Sequence, residues 1–277
     1  MIEVNPDEYR PETFQRFLSH EMFHQWNPRR LNTGDNERLY WFTEGFTGYY
    51  AVLSPWRAGI WPFGQTLDYF NEVLRFYYSS PMRNLTPTQM VEMRRSDFAA
   101  ERLPYRQGTF LAAHWNLTGK SLDRAMLNLR NSYRNRLSNG HISNVLRAVG
   151  LRKASKEIQR FIVEGKTIEL RRNLWGACAT ESRLEARSSD MGFNSKDSRR
   201  TGIIQGIKPD SNAWRAGMRD GQRWNSMDVV FGDPTHQVDI EVEDQQGKRR
   251  IKFYPATLED FTIPNSNPPR NAKTPLR

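Results

Sequence analysis

At 277 residues and 32.5 kDa the chain has room for about two domains of ordinary size. It is polar, with a mean hydropathy of −0.78, yet 8 Trp, 15 Phe and 10 Tyr supply large surfaces to bury, which argues against wholesale disorder. Its net charge of +10 is spread along the chain: the first 150 residues hold 18 basic and 14 acidic side chains, the rest 23 and 17. Spread charge of this kind describes a solvated surface and gives no footprint for nucleic acid. No apolar run approaches the 18 residues of a membrane span. The single cysteine, Cys178, excludes an internal disulfide and any cysteine-rich zinc site.

In chain order, Pro11 and Glu12 suit the first turn of a helix that is predicted to run to about Trp26, ahead of Pro28. The polar stretch 27–38 reads as a loop. A second helix is predicted from Leu39 to Leu53, with Pro55 just beyond it. Further helices are expected over 65–79, 105–117, 121–137 and 141–149, separated by proline, glycine and Asn-Gly punctuation. After about Gly165 the pattern changes to short apolar runs broken by glycines. Val238–Val242 alternates strictly, and Gln246-Gly247 reads as the turn of a hairpin that returns through Arg250–Phe253. The fold class expected is α+β: a mainly helical domain over 1–170, a small β-rich domain over 171–258, and a Pro/Asn-rich disordered tail over 259–277.

The chemistry sits in His20-Glu21-Met22-Phe23-His24, an H-E-x-x-H pattern. On a helix, residues i and i+4 share a face, so both imidazoles can reach one Zn²⁺ at about 2.0–2.1 Å. Glu21 projects to the adjoining side, where it can act as a general base on water. Ordinary polar-face histidines give the same spacing, and the second helix separates the two readings. There Glu44 stands among aromatic neighbours in Trp41-Phe42-Thr43-Glu44-Gly45-Phe46, where an unpaired carboxylate is costly and metal ligation removes the cost. The alternative for Glu44 is a surface glutamate.

The stretch SHEMFHQWNPRRL followed by YWFTEGFTGYY resembles the PDZ-bearing glycyl aminopeptidases, zinc metallopeptidases of the thermolysin-like group related to aminopeptidase N. The resemblance implies that His20, His24 and Glu44 are the ligands of one Zn²⁺, that Glu21 is the catalytic acid/base, and that Trp26 and Asn27 serve packing and loop anchoring. It also implies that Tyr105, in Tyr105-Arg106-Gln107-Gly108 at the start of a helix, donates to the oxyanion. Such a donor contributes on the order of 3 kcal/mol in a transition state; read alone, Tyr105 is a core or surface tyrosine. Ser121-Leu122-Asp123 is read as a helix cap. His114, His141 and His236 lack ligand spacing, and Cys178 lacks a histidine partner.

Gly192-Phe193, the run from Gly202 to Ala213 and Ala216–Gly221 resemble a bacterial-type PDZ domain, with Gly192 and Phe193 at the loop that receives a peptide C-terminus. Only six residues separate Phe231 from Val238, too few for the helix that walls such a groove, so a structural cap on the helical domain is expected ahead of peptide binding. In the resembled family, a β-sandwich and the β-rich half of the catalytic domain precede the zinc helix. Here only 19 residues precede His20. The expectations are therefore a truncated chain with an exposed apolar patch and association with a missing N-terminal β-rich domain. The resulting functional expectation is a zinc-dependent metallopeptidase acting on peptides or proteins, aminopeptidase-like in its full-length parent. The alternative is a catalytically impaired fragment or a zinc- and PDZ-like scaffold. The first 20 residues include acids and no apolar signal core, and the compartment stays unassigned.

Overall fold

A computed structural model describes residues 11–31, 33, 36–80, 82–95, 98–116, 122–132, 137–169, 179–229 and 236–267. Ten α-helices and five strands are found among them: α1 (Pro11–Phe23), α2 (Tyr40–Arg57), α3 (Phe63–Ser79), α4 (Pro87–Met93), α5 (Phe98–Asn116), α6 (Leu122–Ser132), α7 (Asn139–Ala148), α8 (Ala154–Glu157), β1 (Thr180–Asp190), α9 (Ser195–Thr201), α10 (Asn212–Arg215), β2 (Arg223–Asp228), β3 (Val238–Asp244), β4 (Gly247–Phe253) and β5 (Ala256–Asn267). A 3₁₀ turn at Glu37–Leu39 leads into α2, and α8 runs on into a π-helical segment, Ile158–Val163. The class is α+β. No helix of the described residues is long and apolar enough to cross a membrane.

The chain divides into two compact units. One comprises Met1–Val73, Pro104–Ser182 and Asn265–Arg277; the other comprises Leu74–Leu103 and Arg183–Pro264. The boundaries expected along the sequence are linear, whereas the compact units are not, because residues 74–103 group with the second.

The first unit is organised around α2, whose residues from Trp41 to Leu53 are buried apart from Glu44. Its aromatic side packs Trp41 and Phe46 against Trp115 of α5, with ring centroids 6.3 and 6.1 Å apart. Trp41 also donates its indole N–H to Asn139 at the start of α7, 3.1 Å away, so the buried ring keeps its polar handle satisfied. α2 and α5 approach backbone to backbone at Gly45 and Gly108. A Cβ added at Gly108 would lie 1.6 Å from the Trp41 carbonyl oxygen, and one at Gly45 would lie 2.3 Å from Gly108 Cα. α1 is the opposite kind of helix. None of its residues is buried, and Phe14, Phe17, Leu18 and Met22 are 46, 49, 46 and 65% exposed.

The second unit holds an antiparallel sheet in the order β2-β3-β4. Val238, Ile240 and Val242 face a core with Phe193, Ile204, Met218, Ile251 and Phe253, while Asp239, Glu241 and Glu243 alternate outward. Asp244 pairs with Gly247, so the hairpin turns on Gln245-Gln246, one residue earlier than predicted, with Gly247 at φ +99°. β1 and β5 form a separate two-stranded sheet.

Several expectations are corrected. Pro55 lies inside α2, which continues to Arg57. The helix closes beyond the proline, with Ala58 N–H donating to Ser54 and both Ile60 and Trp61 N–H to Pro55. α1 ends at Phe23, short of Trp26, in a series of turns through Leu31. α5 begins at Phe98, so Tyr105 stands in mid-helix instead of at a helix start, and Pro104 is inside it. Residues 259–267, expected as the start of a disordered tail, belong to β5. The rest of that tail, Cys178, Ser121 and most of the segment between Phe231 and Val238 lie outside the described residues.

Candidate metal centre

His20 lies in the last turn of α1, and the His24 N–H donates to the His20 carbonyl at 3.1 Å. Helical geometry therefore persists to His24 and sets both imidazoles on one face, their rings edge to face at 4.6 Å. Glu44 enters from α2. One of its oxygens, Oε2, lies 3.3 Å from His20 Nε2 and 3.4 Å from His24 Nε2.

Asn27 holds these pieces in register. It is wholly buried, and its Nδ2 donates to the carbonyls of Phe42 (3.0 Å) and Thr43 (3.2 Å) in the first turn of α2. Its own carbonyl accepts from His24 Nδ1 at 2.8 Å. Thr47, one turn beyond Thr43, has its hydroxyl 2.6 Å from the Thr43 carbonyl and 3.2 Å from that of Asn27. One buried amide thus ties the end of α1 to the turn of α2 that carries Glu44, and its backbone orients the His24 imidazole.

The electrostatics follow from this geometry. Burial pushes the Glu44 carboxyl up, but hydrogen bonds from His20 and His24 outweigh it and hold the group at about 2. The same contact with Glu44 raises the pKa of His24 above its usual 6.5, against the opposing effect of burial. The His24 Nδ1 proton is committed to a carbonyl, which has only lone pairs, so in the neutral ring the Nε2 lone pair faces a carboxylate oxygen. That arrangement requires either a second proton or a cation between the two atoms.

The donor set fits a tetrahedral cation. Ligand atoms about 2.0–2.1 Å from a tetrahedral centre are separated from one another by roughly 3.3–3.4 Å, a spacing that follows from the bond length alone. The two imidazole–carboxylate distances have this value. Two neutral nitrogens and one carboxylate oxygen are also the donors that borderline divalent ions such as Zn²⁺ prefer.

Glu21 follows His20 and is exposed. A carboxylate oxygen of Glu21 and ring nitrogens of His20 and His24 all lie within 4.8 Å of one another. The Tyr105 ring stacks at 6.2 Å and 21° on that of His20. Its depth is set by the crossing of α5 on α2: Gly108, three residues on, touches α2, and Thr109 Oγ1 donates to the Gly45 carbonyl at 2.9 Å. Five sequence-selected residues, His20, Glu21, His24, Glu44 and Tyr105, therefore meet in the first unit.

Gly192 and Phe193 lie in the second unit. The Gly192 N–H donates to Asp190 at 2.9 Å, its carbonyl accepts from Lys208 N–H at 2.8 Å, and its φ of +77° suits glycine. The Phe193 ring belongs to the core. The amide that a peptide carboxylate would need at Gly192 is thus already engaged by Asp190, which also pairs with the Lys208 ammonium. Asp123, read as part of a helix cap, accepts from the Tyr50 hydroxyl at 2.8 Å and pairs with Arg57 at 3.0 Å. His114 is buried, 3.6 Å from Glu157. His141 accompanies the Ser138 cap of α7, 3.2 Å from its hydroxyl.

Sequence alone assigns no role to Thr47 or Gly108. A threonine four residues from the carbonyl it reaches, and a glycine inside a helical run, are visible signals, but their partners are fixed only by the helix crossing.

Among known families, that of the M61 glycyl aminopeptidases matches residues 13–106, a segment that includes His20, Glu21, His24, Glu44 and Tyr105. No curated protein matches. Among solved structures, the chain is similar to an aminopeptidase N family protein from Idiomarina loihiensis, with 13% identity and a TM-score of 0.45 over 95% of this chain. It spans 54% of the length of that protein, and a likeness this distant carries no functional meaning. The family match covers about a third of this chain.

Proposed function

We propose that the chain is a zinc-dependent metallopeptidase, in which His20, His24 and Glu44 hold one Zn²⁺ and Glu21 and Tyr105 carry out proton transfer and charge stabilisation. The observation that carries this reading is the convergence of two imidazole nitrogens on one Glu44 oxygen, at 3.3 and 3.4 Å. When bound, the ion supplies Lewis acidity, polarising the scissile carbonyl and lowering the pKa of water toward 7. Glu21, exposed beside the ligands, takes the proton of the attacking water and delivers it to the leaving amine. Tyr105 donates its phenolic hydrogen to the oxygen on which negative charge develops. Asn27 keeps the His24 ring in the tautomer whose Nε2 is free to coordinate.

An aminopeptidase preference is part of the proposal and rests on the family match. So are the PDZ-like reading of 171–258 and the docking of a separate β-rich domain, which rest on the resemblance in sequence. Peptide capture at Gly192 and Phe193 would require Asp190 to release the Gly192 N–H. The engaged amide favours a second reading for that module, a structural role without ligand.

Metal analysis of the purified chain, paired with hydrolysis assays on N-terminal and internal peptide libraries, tests the proposal. About one zinc per chain is expected, and less than about 0.2 under mild conditions refutes it. Glu21→Gln is expected to keep the zinc and abolish hydrolysis; unchanged turnover refutes the assignment of the base. A zinc-loaded chain that hydrolyses no peptide favours the scaffold alternative.

A further inference from the structure

The end of α1 and the turn after it present Met22, Phe23 and Trp26 to a common groove. These side chains form the apolar floor of a groove of about 550 Å³, bounded by Ser54 of α2, Arg130 of α6 and Arg30. The volume falls within the range of small-ligand sites. The floor is braced from behind, where the Phe23 ring stacks on Tyr50 at 4.6 Å and 12°. Over it, the Arg130 guanidinium lies 5.0 Å from the centre of the Trp26 ring.

The groove is charged on one side only. Among the described residues, two arginines line it and no acidic residue does. Asp123, on the same helix as Arg130, is already engaged by Tyr50 and Arg57. Among the described residues, no ion pair involves Arg30 or Arg130. Stacking on Trp26 leaves the N–H donors of Arg130 available, and a guanidinium pair next to an aromatic floor is suited to an anionic head on an apolar body.

We propose that this groove binds a small organic anion with an aromatic or aliphatic body, the body lying on Met22, Phe23 and Trp26 and the anionic head between Arg30 and Arg130. Because none of His20, Glu21, His24, Glu44 and Tyr105 is among the described residues that line the groove, the site is distinct from the candidate metal centre and can be filled independently of it.

The test uses the full-length chain with 3-phenylpropionate as probe, followed by calorimetry and saturation-transfer NMR. Saturable millimolar binding is expected. 3-Phenylpropylamine, with the same ring and the opposite charge, and acetate, with the head alone, should bind at least about tenfold more weakly, the loss of one charged contact. Arg30→Gln and Arg130→Gln should each weaken the probe by a similar factor, with unchanged far-ultraviolet circular dichroism and zinc content. No saturable binding overturns the proposal. Equal binding of the amine, or full binding by the double arginine variant, also overturns it by reducing the groove to an apolar patch.

Discussion

Replacing Gly108 by alanine sets two physical effects against each other. Helix propensity alone favours alanine in a helix interior by about 1 kcal/mol. The crossing of α2 and α5 opposes it, because the new methyl would lie 1.6 Å from the Trp41 carbonyl oxygen and 2.8 Å from Gly45 Cα. The obstacle is backbone, which cannot rotate aside, so the helices must separate by roughly 1.5–2 Å to restore ordinary contact in a close-packed interior. That separation loosens the packing of Trp41 and Phe46 on Trp115. Overpacking in a core costs typically 1–3 kcal/mol and more where backbone must move, so a net loss of about 3 kcal/mol is expected after the propensity gain. At about 2–4 °C per kcal/mol, the thermal midpoint should fall by about 6–12 °C. Circular dichroism melts of Gly108→Ala beside Gly64→Ala provide the measurement, since a Cβ at Gly64, in the first turn of α3, meets nothing within 4 Å and should leave the midpoint unchanged or slightly raised. A Gly108→Ala chain that melts at or above its parent refutes the close crossing, and with it the account of how Tyr105 is brought beside His20.

Asn27→Ala removes both side-chain donors to the Phe42 and Thr43 carbonyls and is expected to destabilise the chain by about 2–3 kcal/mol, read by urea denaturation. It should also weaken zinc by about tenfold or more in chelator competition, because the register of α1 on α2 is lost. The Glu44 carboxyl is held below its unfolded value, so its contribution to the stability of the metal-free chain is present above about pH 4.5 and is lost as the pH falls toward 2. Urea midpoints at pH 5 and pH 3 should therefore drop less for Glu44→Gln than for the parent. The raised His24 works in the other direction, its contribution being complete below pH 6.5 and lost as the pH rises through its folded value. Tyr105→Phe should lower kcat by about 10²-fold at unchanged zinc content and stability, and an unaltered kcat removes Tyr105 from the chemistry.

Legibility in the sequence differs from residue to residue. His20 and His24 are legible because the i, i+4 rule needs no tertiary knowledge, and Glu44 because a carboxylate among aromatics demands a partner. Asn27 is legible only as an anchor, since what it anchors is a pair of carbonyls 15 and 16 residues away. Gly108 is opaque: in sequence it is a weak spot in a helix, and only the crossing with Gly45 turns it into a requirement. The start of α5 is misplaced from sequence because Pro104 reads as a boundary, although the helix carries it in its interior. Pro55 misleads in the same way, and the end of α2 depends on donors supplied beyond it. The hairpin of β3 and β4 is legible to within one residue, its alternation being enforced by burial on one face alone.

The two helices that carry the proposed ligands differ in how firmly they are held. α2 is embedded in the interior of its unit, while α1 has no buried residue. Coordination between them would act as a cross-link closing the span from His24 to Glu44, and a covalent bridge over a loop of that order restricts the unfolded chain by about 3 kcal/mol. The proposed ion would then also fasten a helix with no buried residue, so that chelation would free α1 to exchange its amides and to meet proteases while α2 stays protected.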